Sequence, residues 1–139
     1  MSTLTRRNDW PEKLAHVVAT AQDQPYVLGT WDCLRFSCNC IEAMTGVNYW
    51  PRFEGYTTRR EALVTILKIA PTLADAVTKV LSVDPQSMDF AGRGDLVIYH
   101  DGEDHLGICT GPAVAVLGPD SLAFVHRADA RLLQCWRIG

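Results

Sequence analysis

The hydrophobic period of the chain changes once, near residue 91, and that change restricts the folds open to it. Before it, apolar residues recur three and four apart. After it, they alternate or run in short blocks bounded by glycine, proline and aspartate. Helices followed by strands predict an α+β domain, with N-terminal helices packed on a C-terminal antiparallel sheet of about five strands. The 139 residues can bury one core and are too few for two ordinary domains, so 1–139 reads as a single domain.

Trp10, Leu14, Val17, Val18 and Ala21 mark a first helical stripe, with Asp9 as its cap and Pro11 in its first turn. A second helix opens at Cys33 and presents Phe36, Ser37, Cys40, Ile41 and Met44 on one face, between an Asp32 cap and a Gly46 stop. Thr58 and Glu61 form a capping box for a third helix reaching Ala70, with Ala62, Leu63, Ile66, Leu67 and Ala70 expected inward. After Pro71-Thr72, a short helix from Leu73 to Leu81 buries Leu73, Ala76, Val77, Val80 and Leu81. Strands are expected at 95–99, 105–109, 113–117, 121–125 and 134–138, the first two joined by an acidic turn at 101–104. Between the second and third helices, 46–56 is an aromatic loop that packs on the core or walls a groove.

Cys33 is the residue whose position points to chemistry. The loop Tyr26-Val27-Leu28-Gly29-Thr30-Trp31-Asp32 delivers it to the first turn of a helix, where free amides and the positive dipole end favour the nucleophilic thiolate. Cys38, Cys40, Cys109 and Cys135 make the cysteine count odd in a chain large enough to need no staples, against a disulfide framework. Cys33 and Cys40 share a helix face and Cys38 does not, so the three cannot converge on a metal. No cofactor is expected.

A thiol nucleophile needs an imidazole within reach. His105 opens the strand after the acidic turn and is the first candidate, with His100 and His126 as alternatives; a hairpin histidine facing water is the competing reading. Net charge of −3 with scattered basic residues gives no nucleic-acid footprint, and no stretch approaches a membrane span. The first ten residues lack the apolar run of a secretory signal, so the chain is expected to be soluble and made in the cytosol. Gly92-Arg93-Gly94-Asp95 reads as turn chemistry leading into a strand rather than as an adhesive motif.

Three segments in order, Tyr26…Gly29…Asp32-Cys33, Gly94-Asp95-Leu96-Val97-Ile98-Tyr99 and His105-Leu106-Gly107-Ile108, resemble the NlpC/P60 cell-wall cysteine peptidases. The resemblance is closest to their short, phage- and prophage-borne, tail-associated branch, and Gly55-Tyr56-Thr57-Thr58 and Cys135-Trp136-Arg137-Ile138 extend it. It implies a circularly permuted papain-like fold, Cys33 as nucleophile and His105 as general base. Tyr26 would line the pocket, Trp31 and Asp32 would shape the cleft beside the oxyanion site, and the substrate would be a peptidoglycan stem peptide. It also implies a protein of the virion tail tip, acting at the bacterial wall alongside other tail or baseplate proteins.

This chain departs from the family pattern twice. Leu34-Arg35 stands where the peptidases carry Ser-Gly. The strand expected to supply a polar residue that orients the histidine offers only Ala113-Val114-Ala115-Val116-Leu117, leaving a carbonyl, a water or His126. Two other readings therefore stand beside the hydrolase: a structural tail-tip or hub component with an inactive site, and an acyltransferase using the same thioester.

Overall fold

The computed structural model describes residues 4–139. Helices α1 (Trp10–Ala21), α2 (Cys33–Thr45), α3 (Arg59–Ile69) and α4 (Leu73–Leu81) precede strands β1 (Leu96–His100), β2 (Asp104–Cys109), β3 (Ala113–Leu117), β4 (Leu122–His126) and β5 (Leu132–Trp136). The strands form one antiparallel sheet in the order β4-β3-β2-β1-β5, so β1 and β2 are interior and the last strand returns to the edge beside β1.

Alternation along the strands sorts two apolar layers. Leu96, Ile98, Leu106, Ile108, Ala115 and Leu117 point to the helices and join Phe36, Cys40, Ile41 and Met44 of α2 in the main core. Val97, Tyr99, Cys109, Val114, Val116 and Cys135 form a smaller cluster on the other face, with Met88 packed against it. Helix α2 is the central helix, with seven buried residues.

Local chemistry explains most of the boundaries. Gly46 takes φ 83° and its N–H donates to the Glu42 carbonyl, ending α2 in a left-handed cap. Thr58 and Glu61 complete the expected capping box. Ala76, Val77, Val80 and Leu81 of α4 are buried, as the spacing requires. Trp50, Phe53 and Tyr56 fold the aromatic loop into the main core.

Three expectations need correction. Asp9 precedes α1 but makes no capping bond; its ψ of 20° is not the extended backbone that turns a carboxylate toward the first amides. None of the α3 side chains is buried, and Leu63 and Leu67 are exposed where they were expected inward. Strand β1 begins at Leu96, one residue later than expected, and Asp95 before it is a bracket whose backbone carbonyl still accepts from the Cys109 amide at 2.9 Å. Its buried carboxylate accepts from the Gly92 and Ile138 amides at 2.9 and 3.1 Å and from Arg6 Nη2 at 2.9 Å. The Ile138 amide is thereby held outside the ladder. β5 starts at Leu132, two residues earlier than expected, because Tyr99 pairs with Leu132 past a bulge and the His100 amide donates to the Arg131 carbonyl at 2.9 Å. The same burial removes the Arg-Gly-Asp sequence from any adhesive role.

Candidate functional site

The loop before α2 is built to hold one backbone path. Val27 and Trp31 exchange backbone hydrogen bonds at 2.9 and 2.7 Å, closing a tight turn around Gly29. Gly29 has φ +83°, and a Cβ there would lie 2.0 Å from the Tyr56 carbonyl oxygen, so this position admits only glycine. Asp32 locks the turn to the helix. Its Oδ1 accepts from the Arg35 amide at 2.9 Å, and its Oδ2 accepts from the Gly29 amide at 2.9 Å and the Tyr56 hydroxyl at 2.5 Å. The expected cap is present, and Asp32, which also lines the cavity described next, holds three donors on a carboxylate that is 2% exposed.

Cys33 follows at the first position of α2 and lines a cavity of about 490 Å³. Tyr26, Leu28 and Tyr56 form one wall of it, Ala62, Leu63 and Ile66 of α3 another, and Asp104, His105 and Leu106 a third. Arg59 and Glu103, both exposed, form an ion pair that bridges α3 to the β1–β2 turn at this cavity. Trp31 does not contribute to the lining. It is buried in the core with its ring edge-on to Phe36, and its indole N–H has no hydrogen-bond partner among the described residues.

Burial pushes the Cys33 thiol up to about 11, with Asp32 pushing the same way; the amides of Leu106, Leu34 and Cys33 itself oppose them and lose. The resting group is therefore a thiol at neutral pH, a correction to the thiolate expected from the helix dipole alone. The dipole is present, but desolvation is the larger effect. Burial likewise raises the Tyr26 phenol, assisted by Cys33 and Asp32. The other four thiols are all buried; burial pushes Cys135 up to about 11, as it does Cys33, and Cys38 up to about 12.

His105 stands on the opposite wall at the start of β2, and the amide that reaches the Cys33 sulfur is that of Leu106, the next residue. His105 and the amide donor to the Cys33 sulfur are therefore adjacent residues of β2. Among the described residues no hydrogen bond joins sulfur and imidazole; the imidazole Nε2 instead meets Asp101 Oδ1 at 2.9 Å. The Tyr99 ring lies 6.1 Å from the imidazole, centroid to centroid, across the β1–β2 pair.

The alternative histidines lie elsewhere. His100 is exposed and its Nδ1 pairs with Asp104 at 2.7 Å, while His126 ends β4, separated from β2 by β3, and its Nδ1 accepts from the Ala128 amide. Asp101 is the residue that strand-based reasoning missed. The orienting group was sought on β3, whereas the signal was the spacing of four across the acidic turn, Asp101 to His105.

Fold and site together define an α+β domain with a cysteine at a helix N-terminus and a histidine at a strand start facing one largely apolar cavity. A family model described as a domain of unknown function, DUF6950, matches residues 5–138, and the chain belongs to that family. No curated protein matches it.

Proposed function

We propose that the protein is a thiol hydrolase of papain-like, circularly permuted type that cleaves peptidoglycan stem peptides, carried on a phage tail or tail-like particle. The observation that carries the hydrolase reading is the shared cavity: Cys33 at the first turn of α2 and His105 at the start of β2 both line it, and the amide of Leu106, the residue after His105, donates to the sulfur. The substrate and the particle rest on the ordered resemblance of the segments around Cys33, Asp95 and His105 to the NlpC/P60 peptidases.

In this reading His105 takes the Cys33 proton as sulfur attacks the peptide carbonyl, since a thiol titrating at about 11 is not ionised beforehand. The Cys33 amide at the helix N-terminus donates to the developing oxyanion. The imidazolium then protonates the leaving amine as the carbon–nitrogen bond breaks. Water, deprotonated by His105, opens the thioester, releasing the acid and restoring the thiol. Tyr26 and Leu28 line the substrate side, and Arg59 stands at the mouth.

The test is turnover of purified muropeptides by the full chain. We expect amine release by the wild type and its loss, by a factor of 10³ or more, in Cys33→Ala. Equal turnover by the variant would remove Cys33 from the chemistry.

A second reading, a structural tail component that keeps the frame without catalysis, is favoured by one observation: the resting thiol is neutral and has no hydrogen bond to His105. It predicts no turnover by either protein and incorporation of Cys33→Ala into particles as efficiently as the wild type.

A further inference from the structure

We infer that Asp101 is the positioning residue of the site, holding His105 in the one tautomer that can serve Cys33. The inference rests on the thiol-hydrolase reading for its consequence and on the hairpin geometry for its substance. An ionised carboxylate only accepts hydrogen bonds, so the 2.9 Å contact between Asp101 Oδ1 and His105 Nε2 requires the proton on Nε2. The lone pair is then on Nδ1, the nitrogen that no described protein group occupies. A general base needs that unprotonated nitrogen, and a ring held from one side presents it in a fixed direction.

The turn explains why this carboxylate is there. β1 and β2 pair up to His100 opposite Asp104, and the three residues between them turn through Gly102 at φ +100°, with the Asp101 amide donating to the Glu103 carbonyl at 3.1 Å. A hairpin this short brings residues four apart face to face. Arg131, the cation close to Asp101, is engaged elsewhere: its guanidinium binds Asp129 at 2.7 Å and lies over the Tyr99 ring at 5.0 Å. Arg131 therefore acts on Asp101 through charge alone, the His105 imidazole is the group that hydrogen-bonds the Asp101 carboxylate among the described residues, and Tyr99 packs beside the same ring.

The adjacent His100–Asp104 pair provides the contrast. It also spans four residues, but it uses Nδ1 of an imidazole half exposed on the surface, whereas His105 is 25% exposed and lines the cavity with Cys33. Two histidine–aspartate pairs cross one turn, and of the two histidines His105 is the one that lines the cavity with Cys33. The β3 residues at 113–117 supply no polar side chain that could do this work.

The experiment is long-range ¹H–¹⁵N NMR of the imidazoles at a pH where His105 is neutral, assigned by His105→Ala, on the wild type, Asp101→Ala and Asp101→Asn. The wild type should show His105 as a single Nε2–H tautomer. Asp101→Asn, whose carbonyl still accepts, should keep it, and Asp101→Ala should show a mixture with Nδ1–H. On muropeptide, Asp101→Ala should lower kcat about 10–100-fold with KM nearly unchanged, and Asp101→Asn should recover part of the loss. A wild-type His105 in the Nδ1–H form, or a tautomer ratio identical in all three proteins, would overturn the assignment. Absence of turnover in every protein would count against the hydrolase reading instead, leaving the tautomer to decide on Asp101.

Discussion

Helices α2 and α3 begin with the same chemistry and are used differently. Asp32 and Thr58 each accept a hydrogen bond from the amide three residues on, and both helices are regular to their ends. Yet α2 buries seven side chains between α1 and the sheet, while α3 buries none and holds to α4 and, through Arg59, to the β1–β2 turn. Capping fixes where a helix starts; it does not decide what the helix packs against. At the cavity the contrast divides the labour. The wall that carries Cys33 is anchored by the core, and the facing wall of α3 rests on that core through the partly buried Ala62, Ile66 and Ile69, with Leu63, Val64 and Leu67 open to solvent.

Core truncations should show the contrast most strongly. Phe36→Ala, at a fully buried site, should lose about 3–5 kcal/mol in chemical denaturation, whereas Leu67→Ala should change stability by less than about 0.5 kcal/mol. Equal losses would mean that α3 is part of the core after all. The two caps sharpen the point on a smaller scale. Asp32→Ala removes a cap and leaves the Tyr56 hydroxyl and Gly29 amide without their acceptor, and should cost about 2–4 kcal/mol, against about 1 kcal/mol for Thr58→Ala. Similar values for both would show that Asp32 acts only as a cap.

Much of this frame was legible in the sequence, because it depends on local chemistry. All four helices, the Gly46 stop, the capping box and the succession of strands along the chain follow from periodicity and turn residues. The place of β5 does not: it pairs with β1 rather than with β4, its neighbour in the chain. β3 falls at the expected residues and β4 is displaced by one. What was not legible depends on neighbours distant in sequence. Leu63 and Leu67 have the spacing of a buried stripe, but nothing local says that no element lies opposite them. Asp95 reads as the first residue of a strand until Arg6 and the Ile138 amide are brought to it from both ends of the chain.

The site divides in the same way. Cys33, His105 and Tyr26 were recognisable from their positions, and all three line one cavity. Trp31 went to the core, and the carboxylate of Asp32 to its three donors. The direction of the Cys33 shift could not be read from the helix terminus, because it is set by how deeply β2 and the Tyr26 loop enclose the thiol. Asp101 and His105 stand four apart across the acidic turn, a spacing visible in the sequence, but that their side chains meet depends on how the hairpin closes.

The central claim is that His105 serves the Cys33 sulfur, and alkylation of Cys33 by iodoacetamide between pH 6 and 11 in wild type and His105→Ala tests it most directly, with site occupancy read by peptide mass. A thiol raised to about 11 gains thiolate only as pH rises, so without an imidazole its reactivity should climb steadily through the alkaline range. The account predicts that His105→Ala shows only that climb, while the wild type carries an additional arm near neutral pH. Superimposable profiles for the two proteins would contradict it.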